Sequence, residues 1–308
     1  MKRTGMIWGM LAVAAFAVGQ QPPAPTQQKQ PAGAQGATQP GSATPALAQG
    51  KRPPQAKTQP EFEAYNAAVA NQKDPAAMEK AADDFATKFP DSELRVLLYK
   101  AAMRGYQNAN NGEKMAEMAQ KLLKLDPDDP EALIASAEVI GERTRATDLD
   151  KDQRFDQATK YAQHALETID TDVPIPANTP QAQIDAYKGL LRSTAFSVLG
   201  TIQYDQEKYV EAEGYFHKSI DAYPAQPDPV VVLRLALALD KQGKYPDALK
   251  EANHAVELTQ EGTAAGTTAR HERDRLMQLT GSAIPSSTPP PASKPQAGTA
   301  PNPDPPAH

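Results

Sequence analysis

The sequence predicts an all-α fold in which helix hairpins stack into a solenoid between flexible proline-rich ends. Three observations carry that expectation. Apolar residues recur at i, i+3, i+4 and i+7 through most of the interior of the 308-residue chain, the spacing of one face of a helix. The 29 prolines crowd before position 61 and after position 284, and Pro90, Pro127 and Pro224 fall where a helix has to stop. Hydrophobic residues make up 40% of the chain but aromatics only 6%, so much of the apolar content is alanine, which suits helices in close contact.

In chain order, Lys2 and Arg3 precede an apolar run over 6–18, and Ala17-Val18-Gly19 stands before Gln20. Those are the parts of a secretory signal peptide, and the run is short of the roughly 20 residues a membrane-spanning helix needs. The expectation is a signal peptide over 1–19, cleaved near Gly19, and hence an exported protein, periplasmic or extracellular. Retention of the segment would instead anchor the chain to the inner membrane. Residues 20–60 are dominated by Gln, Pro, Ala, Gly and Thr. Such a stretch buries too little surface to offset its ordering entropy, so it is expected to be a flexible linker, with Lys51, Arg52 and Lys57 a solvated basic cluster. The Pro-rich tail over 281–308 has the same character.

The helical region is expected over 61–280. Phe62, Tyr65 and Val69 give one stripe, Met78, Ala82 and Phe85 the next, and Pro90 the stop. Tyr99, Ala102, Met103 and Tyr106 follow, then the turn Asn110-Asn111-Gly112, then Met115, Ala119 and Leu122, closed by Pro127. The third pair reads Leu133, Ser136, Ala137 and Ile140 against Ala158, Ala162 and Ala165, with 142–152 as a long insertion between them. Pro174, Pro176 and Pro180 then interrupt the chain before a long helix from Gln181. Its later half carries Phe196, Leu199, Gly200 and Gln203; Tyr209 marks the turn, and Ala212, Phe216 and Ser219 the partner helix, closed by Pro224. The fifth pair sets Val232, Leu235, Ala236 and Leu239 against Ala248, Ala252 and Ala255 across Gly243-Lys244-Tyr245. A more polar helix over 268–279 is expected to cap the stack, ended by Gly281.

The order Phe196, Leu199-Gly200, Tyr209, Ala212, Phe216, Pro224, repeated in part by Tyr245 and Ala248, resembles the tetratricopeptide repeat, a unit of about 34 residues. The resemblance covers roughly 61–260; Gln203 departs at the first-helix aromatic, and the earlier units lack Leu-Gly. It implies a right-handed solenoid of about five helix pairs whose first helices line a concave groove for partner proteins or peptides. The groove positions it implies are Lys100, Arg104, Gln107, Glu138, Ser197, Thr201, Tyr204, Leu233, Leu237 and Asp240. Lys100 and Arg104, one helical turn apart, could meet an acidic peptide or a C-terminal carboxylate, but the asparagines that complete the family's two-carboxylate clamp are absent, and the alternative is a merely solvated pair. On that reading Lys100→Ala leaves stability nearly unchanged, whereas Ala212→Trp overpacks a helix contact.

Chemistry finds little purchase. The absence of cysteine excludes disulfides, thiolate metal sites and a cysteine nucleophile, and a net charge of -6 without a clustered basic surface argues against nucleic acid. Asp148, Asp150, Asp152 and Asp156 are spaced as in a calcium loop, but Gln153 stands where a glycine belongs and Thr159 where a bidentate glutamate belongs. An acidic, solvated loop is the expectation. The five histidines lack metal-ligand spacing, and neither Gly-x-Ser-x-Gly nor a phosphate loop occurs. A non-enzymatic scaffold or adaptor of the bacterial cell envelope is therefore expected, without metal or cofactor. The alternatives are a membrane-anchored spacer and a hydrolase whose site the sequence does not reveal.

Overall fold

The computed structural model describes residues 50–281. The expected signal peptide, the linker before residue 50 and the tail after residue 281 lie outside these residues. Among the described residues the chain forms α1 (Gln59–Val69), α2 (Pro75–Lys88), α3 (Arg95–Asn108), α4 (Gly112–Leu125), α5 (Pro130–Arg143), α6 (Lys151–Asp172), α7 (Gln181–Asp205), α8 (Tyr209–Ala222), α9 (Pro229–Lys241), α10 (Tyr245–Leu258) and α11 (Ala264–Thr280), with no strand. The first ten pair into five hairpins, and α11 closes the stack against α9 and α10. This is the predicted solenoid.

The two layers of the stack differ. Successive first helices meet directly, α1 with α3, α5 with α7, α7 with α9 and α9 with α11, whereas second helices of successive pairs make no comparable contact. First helices therefore form the tighter, inner layer, and second helices the outer one.

Local chemistry explains the helix boundaries. Thr58, Asp74, Asn111, Asp129, Asp228 and Thr263 each accept a hydrogen bond from a backbone N–H of the first turn they precede. Pro60, Pro75, Pro130 and Pro229 stand in first turns, where a missing N–H costs nothing. The Thr263 cap starts α11 at Ala264, ahead of the expected 268. The turns inside the second, fourth and fifth pairs share one geometry. Asn110, Glu207 and Gly243 take left-handed backbone, with φ of 53, 61 and 73°. The next N–H then reaches back to Tyr106 O, Gln203 O or Leu239 O at 2.9, 2.9 and 3.0 Å. Gly243 holds this shape freely, while Glu207 holds it against the crowding of its own Cβ.

Alanines make the layers close. Ala158, Ala162, Ala165, Ala212, Ala248, Ala252 and Ala255 have no exposed surface. Phe216 is likewise fully buried, against Gly200 of α7 and in one apolar cluster with Val231 and Leu235 of the next pair. A Cβ on Gly200 would lie 2.6 Å from the Phe216 ring.

One stretch differs from expectation. Residues 50–58 fall in the expected flexible linker, yet the Lys51 N–H donates to Val173 O at 3.1 Å and the Lys51 carbonyl accepts from the Ile175 N–H at 3.2 Å. The reason is that the basic cluster has acidic turns to lie on: Lys51 and Arg52 pair with Asp126 and Glu93, and the Lys57 ammonium donates to the Asp91 carbonyl.

Candidate functional site: the inner face

The inner face holds two polar regions of different kinds. In the first, Lys100 and Arg104 project from α3 toward Asp129 and Glu131 at the start of α5. Lys100 Nζ lies 2.5 Å from Asp129 Oδ2 and 3.1 Å from Glu131 Oε1. Arg104 Nε and Nη2 each donate to Glu131 at 2.7 Å, a bidentate pairing, and Nη2 also donates to Tyr187 Oη at 3.2 Å. The Tyr187 hydroxyl, from α7, donates to the same Glu131 carboxylate. Burial alone would raise the Glu131 carboxyl, but Arg104 and Lys100 outweigh it and hold the group at about 2. Burial alone would lower the Lys100 ammonium; Glu131 and Asp129 outweigh that too and raise it.

This arrangement corrects the expected carboxylate-binding pair. Lys100 is only 6% exposed, and both cations already hold carboxylates of their own chain. The acids come from the capping turn of the next pair, where Asp129 also accepts from the Ala132 N–H at 3.0 Å. A pattern read one repeat at a time gives no sign that this turn faces α3.

The second region is a narrow cleft where α5, α7 and α9 face one another, with about 30 Å³ of open volume, room for one water-sized group. Glu138, Glu142, Thr194, Ser197, Thr201 and Arg234 supply its polar lining. Arg234 Nη1 donates to Thr201 Oγ1 at 2.8 Å, and Thr201 Oγ1 donates back along α7 to Ser197 O at 2.8 Å. Burial pushes the Arg234 guanidinium below its ordinary value, although Asp228, Asp205, Glu142 and Glu138 all pull it upward.

Of the residues expected in the groove, Glu138, Ser197 and Thr201 line this cleft. Leu233 does not: it is 6% exposed and belongs with Val232, Ala255 and Ala269 in the cluster that joins α9 to α10 and α11, and Leu237 packs against that cluster. Arg234, one position on, is the residue that faces the cleft and was missed; an arginine inside an otherwise apolar α9 is the signal that could have found it. Asp240 is held by Arg275 at 2.5 Å. Tyr204 packs edge-on to Tyr209 with ring centres 5.3 Å apart, and burial, with Tyr209 beside it, pushes its hydroxyl up to about 12. Gln107 is half-buried near the end of α3. In the 142–152 insertion Asp148 accepts from the Arg145 N–H at 2.8 Å and Asp150 pairs with Arg154 at 2.9 Å.

The chain has the tetratricopeptide-repeat fold. PilF of Pseudomonas aeruginosa is similar in structure over 72% of this chain and 87% of its own, with 17% identity and a TM-score of 0.50. The MamA protein (16% identity, TM-score 0.45) matches 64% of this chain and 91% of its own. A thermophilic repeat protein of Thermus thermophilus (14%, 0.45) matches 71% and 100%. By sequence, no protein-family model and no curated protein matches the chain.

Proposed function

We propose that the protein is an exported scaffold or adaptor of the bacterial cell envelope that holds a segment of a partner protein along its inner face, with no bond made or broken. The observation that carries this reading is the contrast on that face. Between α3 and α5 the space is filled by the chain's own ion pairs, whereas between α5, α7 and α9 a polar cleft is left, edged by Glu138, Thr201 and Arg234. The cleft itself takes only a water-sized group, so a partner segment, extended or helical, would lie along the preformed inner surface across its mouth, at little ordering cost. Export is supported by the basic start, the apolar run over 6–18 and the small residues before Gln20.

A photo-crosslinking residue placed at Thr201, compared with one at Lys218 on the outer α8, tests the binding reading in native envelopes. A partner captured from Thr201 alone is the expected result. Capture of no protein above background, or equal capture from both positions, overturns it. N-terminal sequencing of the purified protein tests export. A start near Gln20 is expected, while a retained 1–19 segment makes the protein an anchored spacer instead.

A further inference from the structure

We propose that residues 50–58 are a reversible strap that sets the curvature of the first three helix pairs. In a solenoid each unit touches only its neighbours, so the angle between units is fixed locally. This stretch links units that are not neighbours. It begins beside the third pair, where Gly50 fits because a Cβ would lie 2.6 Å from Ile175 Cδ1 and 2.7 Å from Val173 O. Lys51 then forms a single parallel bridge across Pro174, and its Nζ reaches Asp126, in the turn behind α4, at 2.7 and 2.8 Å, with Asp172 at 3.6 Å. Arg52 Nη2 donates to both oxygens of Glu93, in the turn behind α2, at 2.9 Å, and the Gln55 N–H donates to the same carboxylate at 3.3 Å. The Lys57 ammonium donates to the Asp91 carbonyl at 2.7 Å, and the Lys57 N–H to Glu61 of α1 at 2.7 Å.

The strap thus visits the turns behind α6, α4 and α2 and ties the third pair to the first directly. Its strength suits a tie that opens. The side chains of Arg52 and Glu93 are 59 and 43% exposed, so their ion pair is weak and screened by salt, whereas Lys51, 40% exposed, meets an Asp126 side chain only 11% exposed and is the firmer end of the tie. Beyond them the bridge to the third pair adds two backbone hydrogen bonds. Seated, the strap makes the first three pairs move as one body. Released as far as Lys57, it frees the angles between them while Thr58 stays in place as the cap of α1.

Two readouts on the full-length chain separate the strap from a merely ordered stretch. Trypsin cleavage after Lys57, followed by mass spectrometry and scaled to a free peptide of the same sequence, reports seating. Spin labels at Lys80 on α2 and Lys160 on α6 report the spread of distances between the first and third pairs. Arg52→Glu should speed cleavage roughly fivefold or more and broaden the distance distribution, as should raising salt from about 0.05 to about 0.5 M. The swap Arg52→Glu with Glu93→Arg should restore both. Faster cleavage with an unchanged distance distribution overturns the curvature role, and no change in either readout overturns the strap itself.

Discussion

The stack of helix pairs is joined by different physics toward its two ends. Toward the N-terminus, α3 and α5 are spanned by long side chains, with Lys100 and Arg104 meeting Asp129 and Glu131 and Tyr187 closing the cluster from α7. Toward the C-terminus, α7, α8 and α9 close on Gly200, Ala212, Phe216 and Leu235, while the ion pairs there, Lys244 with Glu213 and Arg275 with Asp240, run between neighbouring elements at its margin. Small residues bring backbones together, so apolar contact suffices. Where the helices stand further apart, only side chains as long as Lys and Arg reach across, and each then needs a counter-charge. The clearest repeat motif and the tightest apolar packing coincide for that reason, and the Lys100–Asp129 pair is buried where the units lack Leu-Gly.

The largest effect expected from this difference is at Glu131. Glu131→Ala removes the carboxylate shared by two cations and should destabilise by about 3–5 kcal/mol in chemical unfolding, since a buried charge is left unmatched. Lys100→Ala should cost about 3 kcal/mol, where a solvated lysine would cost almost nothing. In the other half, Gly200→Ala forces a methyl group onto the Phe216 ring and should cost roughly 1–3 kcal/mol, with Ala212→Trp similar. Glu207→Gly relieves left-handed strain and should stabilise by roughly 1 kcal/mol, while a glycine substituted at an ordinary helical position would destabilise.

Acid separates the halves in another way. The folded-state Glu131 carboxyl sits at about 2 against an ordinary 4.5, so its contribution to stability is fully present above 4.5 and is lost as pH falls from there toward 2. Hydrogen exchange across that window should show α3 and α5 losing protection before α8 and α9. Simultaneous loss would mean that the cluster contributes no more than the rim pairs do.

Most of the fold was legible because it rests on local signals. Apolar periodicity, Pro at helix starts, capping Asp and Thr and the Asn110 and Gly243 turns each act within a few residues. The inner face was legible only in part. Glu138, Ser197 and Thr201 line the cleft, but an assignment one residue out put Leu233 there in place of Arg234, because α9 is apolar on nearly every side and its pattern marks no clear face. Lys100 looked solvated because its partners come from the following pair, and residues 50–58 looked flexible because their composition does not reveal the acidic turns they lie on.

The most direct test is a double-mutant cycle on Lys100 and Glu131, read by chemical unfolding of Lys100→Ala, Glu131→Ala and the pair. Ions buried against each other should give a coupling of about 2–3 kcal/mol. A coupling below about 0.5 kcal/mol, the value for side chains that meet only water, would contradict the claim that ion pairs hold the N-terminal inner face together.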